Sequence, residues 1–263
     1  MNLHLKNKNA LVCGSSAGIG KASAILLASL GANVTLVARN EEKLKEVLKT
    51  LDTSQGQIHN YVAVDFSSPE NVQIEIDKHL VNNKINYHIL VNNTGGPPAG
   101  QAIDAKESDF LSAFNNHLIC NHILVKALVP GMKANKYGRI INIISTSVKA
   151  PLHGLGVSNT IRGAVASWSK TLANELGQFN ITVNNVLPGA TATERLDAII
   201  NNKSTKANKS TDDIAHEMMN EVPMKRFAQP DEIANAVCFL ASEAASYING
   251  INLPVDGGRT ASL

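Results

Sequence analysis

The chain has 263 residues, 44% of them hydrophobic and 17% charged, which is enough apolar surface for a core and too much for a disordered chain. Lys and Arg number 24 against 22 Asp and Glu, so the net charge of +2 lacks the basic surplus of a nucleic-acid binder. No run approaches 18 uninterrupted apolar residues, so no membrane segment is expected, and the polar start through Asn9 does not read as a signal peptide.

Short apolar runs alternate with longer amphipathic ones, which predicts repeated βα units around a parallel sheet. Residues 10–13 read as the first strand, followed by a glycine-rich turn and a helix over about 19–30 that Gly31 closes. Residues 34–38 are the second strand. Residues 41–51 are a helix with acids early and lysines late, as the helix dipole prefers. A third strand at 61–65, a helix at 71–81 and a fourth strand at 89–92 follow. Residues 110–132 suit a long helix broken near Pro130-Gly131, and 139–144 an isoleucine-rich fifth strand. A helix at 162–179, a strand at 182–187, a helix at 230–241 and a short strand at 251–255 complete the pattern. One segment departs from it: residues 201–213 hold almost nothing apolar. They read as the tip of a helical excursion over about 192–222. Its place after a strand's carboxyl end, where such sheets bind ligands, favours a mobile substrate lid over a plain surface loop. No linker divides the chain, so residues 1–263 are expected to form one domain. Cys13, Cys120 and Cys238 have no metal or CxxC spacing and read as packed, reduced thiols of a cytoplasmic protein. The eight histidines show no metal-ligand spacing either, so no metal is expected.

The strongest local signal is Cys13-Gly14-Ser15-Ser16-Ala17-Gly18-Ile19-Gly20, between the first strand and first helix. Its glycines permit a tight turn and let the backbone approach a pyrophosphate, which the helix amino terminus attracts. Three landmarks occur in order at strand ends: this G-x-x-x-G-x-G loop, Asn92-Asn93-Thr94-Gly95 and Pro188-Gly189. With them the chain resembles the short-chain dehydrogenase/reductase family over nearly its whole length. The resemblance implies a single Rossmann-type doubly wound α/β domain with about seven parallel strands, a nicotinamide cofactor, a small-molecule substrate and a homodimer or homotetramer. It also implies that Asp65 approaches the adenine and Asn93 the adenine ribose. By the same resemblance, Pro188, Gly189, Thr191 and Thr193 hold the nicotinamide and phosphates. Charge selects the cofactor. The second strand ends Val37-Ala38-Arg39-Asn40, with no acid to repel a 2′-phosphate and a guanidinium suited to bind one, to which Ser15 could add a hydroxyl donor. NADP(H) is therefore the expected cofactor.

The resemblance breaks at the catalytic positions. The family uses a tyrosine, a lysine four residues later, a serine thirteen before the tyrosine and an asparagine in the preceding helix. Aligning Ser169 to Leu176 with the family's downstream stretch puts Ser158 at the tyrosine, Arg162 at the lysine, Ser145 at the serine and His117 at the asparagine. None of Tyr61, Tyr87, Tyr137 and Tyr247 has a lysine four residues on. The Ser158 hydroxyl is a far weaker acid than a phenol, and Arg162 keeps the charge but cannot deliver a proton. His117, with an ordinary pKa near 6.5, and His153 are candidate replacements for the missing acid. The leading expectation is an NADP(H)-dependent oxidoreductase acting on a carbonyl or alcohol through Ser145, Ser158, Arg162 and His117. The alternative is a catalytically silent NADP(H)-binding or nucleotide-sensing protein on the same fold.

Overall fold

In the computed structural model, which describes residues 1–262, every apolar run becomes a strand of one sheet. The strands are β1 (Asn9–Cys13), β2 (Asn33–Ala38), β3 (Asn60–Ala63), β4 (Ile89–Asn92), β5 (Gly138–Ile143), β6 (Ile181–Pro188) and β7 (Asn252–Val255). All pair in parallel in the order β3-β2-β1-β4-β5-β6-β7. This is the expected Rossmann-type doubly wound sheet.

Nine α-helices among the described residues connect and cover it: α1 (Gly18–Ser29), α2 (Glu41–Leu48), α3 (Pro69–Asn83), α4 (Glu107–Phe114), α5 (Cys120–Ala134), α6 (Gly156–Leu176), α7 (Glu194–Ala207), α8 (Thr211–Asn220) and α9 (Pro230–Ala241). Successive side chains of a strand point to opposite faces, and β1 divides accordingly. Ala10 and Val12 pack with Leu27 of α1 and Val237 of α9, while Leu11 and Cys13 pack with Ile76 of α3, Leu124 of α5 and Leu172 of α6. Burial on both faces is why these strands read as continuous apolar runs, and each fully buried Leu or Ile contributes about 1.5–3 kcal/mol. Strand order reverses between β1 and β4, which opens a crevice at their carboxyl ends.

Several expectations need correction. α5 passes through Pro130 to Ala134 without breaking; the irregularity lies upstream, in a π-helical turn at Asn115–Ile119 that holds His117. α6 begins at Gly156, six residues early, and Gly156 lies against Ala102, where a Cβ would come within 2.4 Å of the Ala102 nitrogen. Ser158 and Arg162 therefore share one helix. Residues 201–213 are largely helical: α7 runs on to Ala207, Asn208 ends it in a left-handed conformation, and the Ser210 side chain caps α8. Their few apolar neighbours, Leu196, Ile200, Ile214 and Met218, form a separate small core.

At the amino-terminal edge of the sheet, Arg139 is fully buried at the start of β5. It donates to the carbonyls of Gly138, Asn180 and Ser242, pairs with Glu243 at 3.4 Å and stacks on Tyr137. Among the described residues, no helix is long and apolar enough to cross a membrane.

Candidate active site

The carboxyl edge of the sheet is built around the turn after β1. Gly14 and Gly18 have φ of 58° and 53°, the left-handed region that favours glycine. Contact also requires glycine here: a Cβ on Gly14 would lie 2.5 Å from the Asn93 carbonyl oxygen, and one on Gly20 would lie 2.2 Å from the Gly14 oxygen. Gly20 thus lets α1 settle on the turn. The Asn93 amide nitrogen donates to the carbonyls of Cys13 and Gly14, at 3.4 Å each, and ties the loops after β1 and β4 together. Side chains of Asn40, Ser68, Thr193 and Ser210 cap α2, α3, α7 and α8. The cap residue of α1, Ala17, offers no acceptor, and its first turn carries no acid. The N–H groups at that end remain for an anion, and the glycines leave it room to approach.

The expected cofactor residues fall into two groups. Gly14, Gly18, Ile19, Asn93, Pro188, Gly189, Thr191 and Thr193 all line one cavity of about 800 Å³. Thr193 caps α7 and sets its methyl against Gly18, and Thr191 donates to the Gly189 carbonyl at 3.1 Å. Ser15, Ser16, Gly20, Arg39 and Asp65 do not line it. The expected role of Ser15 as a phosphate donor is corrected: its hydroxyl is buried, accepts the Val37 N–H at 2.9 Å and donates to the Val37 carbonyl. Arg39 projects exposed beyond β2 and, among the described residues, has no ion pair or side-chain hydrogen bond. Asp65 is exposed just past the end of β3, and its carboxylate accepts the Ser67 N–H.

Ser145, Ser158 and Arg162 are brought to the same cavity. Ser145 lies just beyond β5, and its hydroxyl oxygen accepts the Ser147 N–H at 3.1 Å, which leaves its proton free to donate. Ser158 and Arg162 stand one turn apart on α6. Arg162 is only 7% exposed; one guanidinium nitrogen donates to the Ile143 carbonyl at 3.0 Å, and Nε has no acceptor. Burial, then the nearby Arg195 charge, lower its pKa to about 10, so it stays a cation at neutral pH.

The expectation that His117 exchanges protons near neutrality is corrected. His117 is 1% exposed, lies behind the cavity wall and hydrogen-bonds through Nδ1 to the hydroxyl of Thr94, which does line the cavity. Burial first, then the Arg162 and Arg195 charges, push its pKa down to about 2, so the ring is neutral. His153 lines the cavity from the exposed loop before α6. None of the four tyrosines lines it. Tyr87 and Tyr137 are buried in the two cores, Tyr61 bonds Glu41, and Tyr247 is fully exposed.

The structure adds one residue that sequence reading did not single out. Arg195, in the first turn of α7, reaches across the crevice and donates to the Pro97 carbonyl at 2.6 Å, with its guanidinium over the Gly96 backbone. A lone arginine in a polar helix carries no local signal of this contact, which spans 98 residues.

A family model described as enoyl-(acyl carrier protein) reductase matches residues 14–260. An uncharacterized oxidoreductase of Bacillus subtilis, YvrD, is 33% identical over all of both chains. The 3-oxoacyl-[acyl-carrier-protein] reductase FabG of Rickettsia felis is 33% identical, covering 97% of this chain and 98% of that protein. Among solved structures, L-sorbose reductase from Gluconobacter frateurii, complexed with NADPH and L-sorbose, superposes with a TM-score of 0.93 at 33% identity over all of both chains.

Proposed function

The chain belongs to the short-chain dehydrogenase/reductase family, and from that premise we propose that it is an NADP(H)-dependent oxidoreductase that interconverts a carbonyl and an alcohol without a tyrosine acid. One observation carries the reading: Ser145, Ser158 and Arg162 line the same cavity as the glycine turn. The cofactor's fit rests on the uncapped amino end of α1, the glycines at 14 and 18, and the unpaired Arg39 beyond β2. Those groups would hold the pyrophosphate and the 2′-phosphate. Thr191 and Thr193 would hold the nicotinamide side, and Arg162 the adjoining ribose. Bound there, the cofactor supplies or accepts a hydride.

The chain's own residues manage the oxygen. Ser145 donates its free proton to the carbonyl oxygen, and the Arg162 guanidinium adds positive potential where negative charge develops. The substrate alkoxide is about as basic as the alkoxide of serine. Ser145 or Ser158 can therefore pass it a proton and regain one from water, whereas the His117 ring, held near pKa 2, carries no imidazolium proton to give at neutral pH. α7 and α8 cover the crevice as a lid. The reading includes a homodimer or homotetramer in the cytoplasm, and light scattering on the purified protein reads the assembly.

The test is NADPH oxidation against a panel of ketones, aldehydes and oxo acids. Ser145→Ala is expected to lower kcat about 10²–10³-fold, the usual cost of one oxyanion donor, with NADPH affinity retained. Tight NADPH binding with no turnover of any carbonyl would replace this reading with a catalytically silent binding protein.

A further inference from the structure

Charge around the cavity is unbalanced. Arg162, Arg195, Lys203, Lys206 and Arg259 line it against two carboxylates, Glu194 and Glu221. Both carboxylates are already engaged: Glu221 pairs with Arg259, and Glu194 faces Lys43 at 3.9 Å. Among the described residues, Arg162, Arg195, Lys203 and Lys206 have no carboxylate partner. Exposed lysines alone need no counterion, because water screens them. Arg162 is different: it is buried, its Nε–H has no acceptor, and a second guanidinium stands close enough to disfavour its charge. A buried cation without an anion is costly, and an anionic ligand would relieve that cost. Arg195 has one donor on Pro97 and four others to offer.

Two anions could serve, the cofactor's phosphates or a charged group on the substrate. The phosphates have other partners in the amino end of α1 and Arg39. The cationic row also outreaches them. Arg195, Ile199, Lys203 and Lys206 recur along one side of α7 over about 16 Å, farther than a pyrophosphate extends. Leu152, Leu155, Leu196, Ile199 and Met218 make the intervening wall apolar.

We infer that the substrate is an anionic carbonyl compound, an oxo acid with an apolar body, whose carboxylate is held by Arg195 while its carbonyl meets Ser145, with Lys203 and Lys206 farther along α7 adding positive potential. This rests on the oxidoreductase reading above. The carbonyl carbon takes a hydride from NADPH, its oxygen takes a proton from solvent, and the carboxylate is unchanged, giving the hydroxy acid and NADP⁺.

The experiment compares 2-oxo and 3-oxo acids bearing alkyl or aryl chains with their methyl esters, in two readouts. In turnover, the acids are expected to exceed their esters at least tenfold in kcat/KM, the worth of a charge-assisted hydrogen-bonded pair. Arg195→Met should collapse that preference through KM, Arg195→Lys should restore part of it, and the Kd for NADPH should hold within about twofold. The second readout needs no chemistry: calorimetry of the matching hydroxy acids and their esters against the NADP⁺ complex, with the acid binding at least tenfold tighter. Esters matching acids in both readouts overturns the inference, as does Arg195→Met weakening NADPH itself, which would make the pyrophosphate its anion. Acid-selective binding lost in Arg195→Met, without turnover of any carbonyl, would keep Arg195 as a carboxylate site while rejecting the oxidoreductase reading and, with it, the substrate assignment.

Discussion

Two buried arginines stand at opposite ends of the same sheet, and they are held differently. Arg139, at the amino-terminal edge, is enclosed by three carbonyls, a carboxylate and an aromatic ring. Arg162, at the carboxyl edge, has one carbonyl, an idle Nε–H and another cation nearby. The first guanidinium is a finished part of the fold. The second is an unfinished coordination sphere, and it lies in the crevice where a doubly wound sheet binds its ligands. Burial of a cation therefore marks structure or function according to whether its donors are already used.

The largest expected effect tests the finished side. Arg139→Met should destabilise the apoprotein by about 2–4 kcal/mol, because it leaves buried carbonyls without donors. In thermal unfolding that is a Tm lower by roughly 5–15 °C. Arg162→Met gives up one hydrogen bond to the Ile143 carbonyl but removes a buried charge, so apo stability should stay level or rise by up to about 2 kcal/mol. The same variant should weaken NADPH binding about tenfold in a calorimetric titration. Equal losses of stability in the two variants would erase the contrast.

The smallest effect concerns the ring behind the crevice. His117 is held neutral, with its folded pKa below its unfolded one, so the unfolded chain binds the extra proton between the two values. The associated stability is complete above about pH 6.5 and declines as pH falls, at about 1.4 kcal/mol per pH unit. Burial also lowers the pKa of His79 and His88, so the acid limb of a urea-denaturation series should be steep. His117→Asn should flatten it by one proton's share. An unchanged slope would mean that His117 takes up a proton in the folded protein as readily as in the unfolded one.

Much of the architecture was legible in the residues. Strands buried on both faces read as runs such as Ile89–Asn92, and the spacing of Gly14, Gly18 and Gly20 marked the turn that the structure forms. The thirteen- and four-residue intervals from Ser158 found two groups, Ser145 and Arg162, that line the cavity with it. Polar helices were harder to see. Residues 201–207 extend α7 with little apolar periodicity, because only Leu196 and Ile200 of that helix are buried.

The chain's local chemistry by itself determined the βα alternation, the glycine turn, the lack of a lysine four residues after any tyrosine and the arginine, in place of an acid, after β2. Those are matters of period, backbone freedom and residue identity within a few positions. Only the tertiary structure decided that the Ser15 hydroxyl serves Val37, that the His117 ring stays neutral and that Arg195 crosses to Pro97. Hydrogen-bond partners and protonation depend on burial and on groups up to 98 residues away, which no short window of sequence contains.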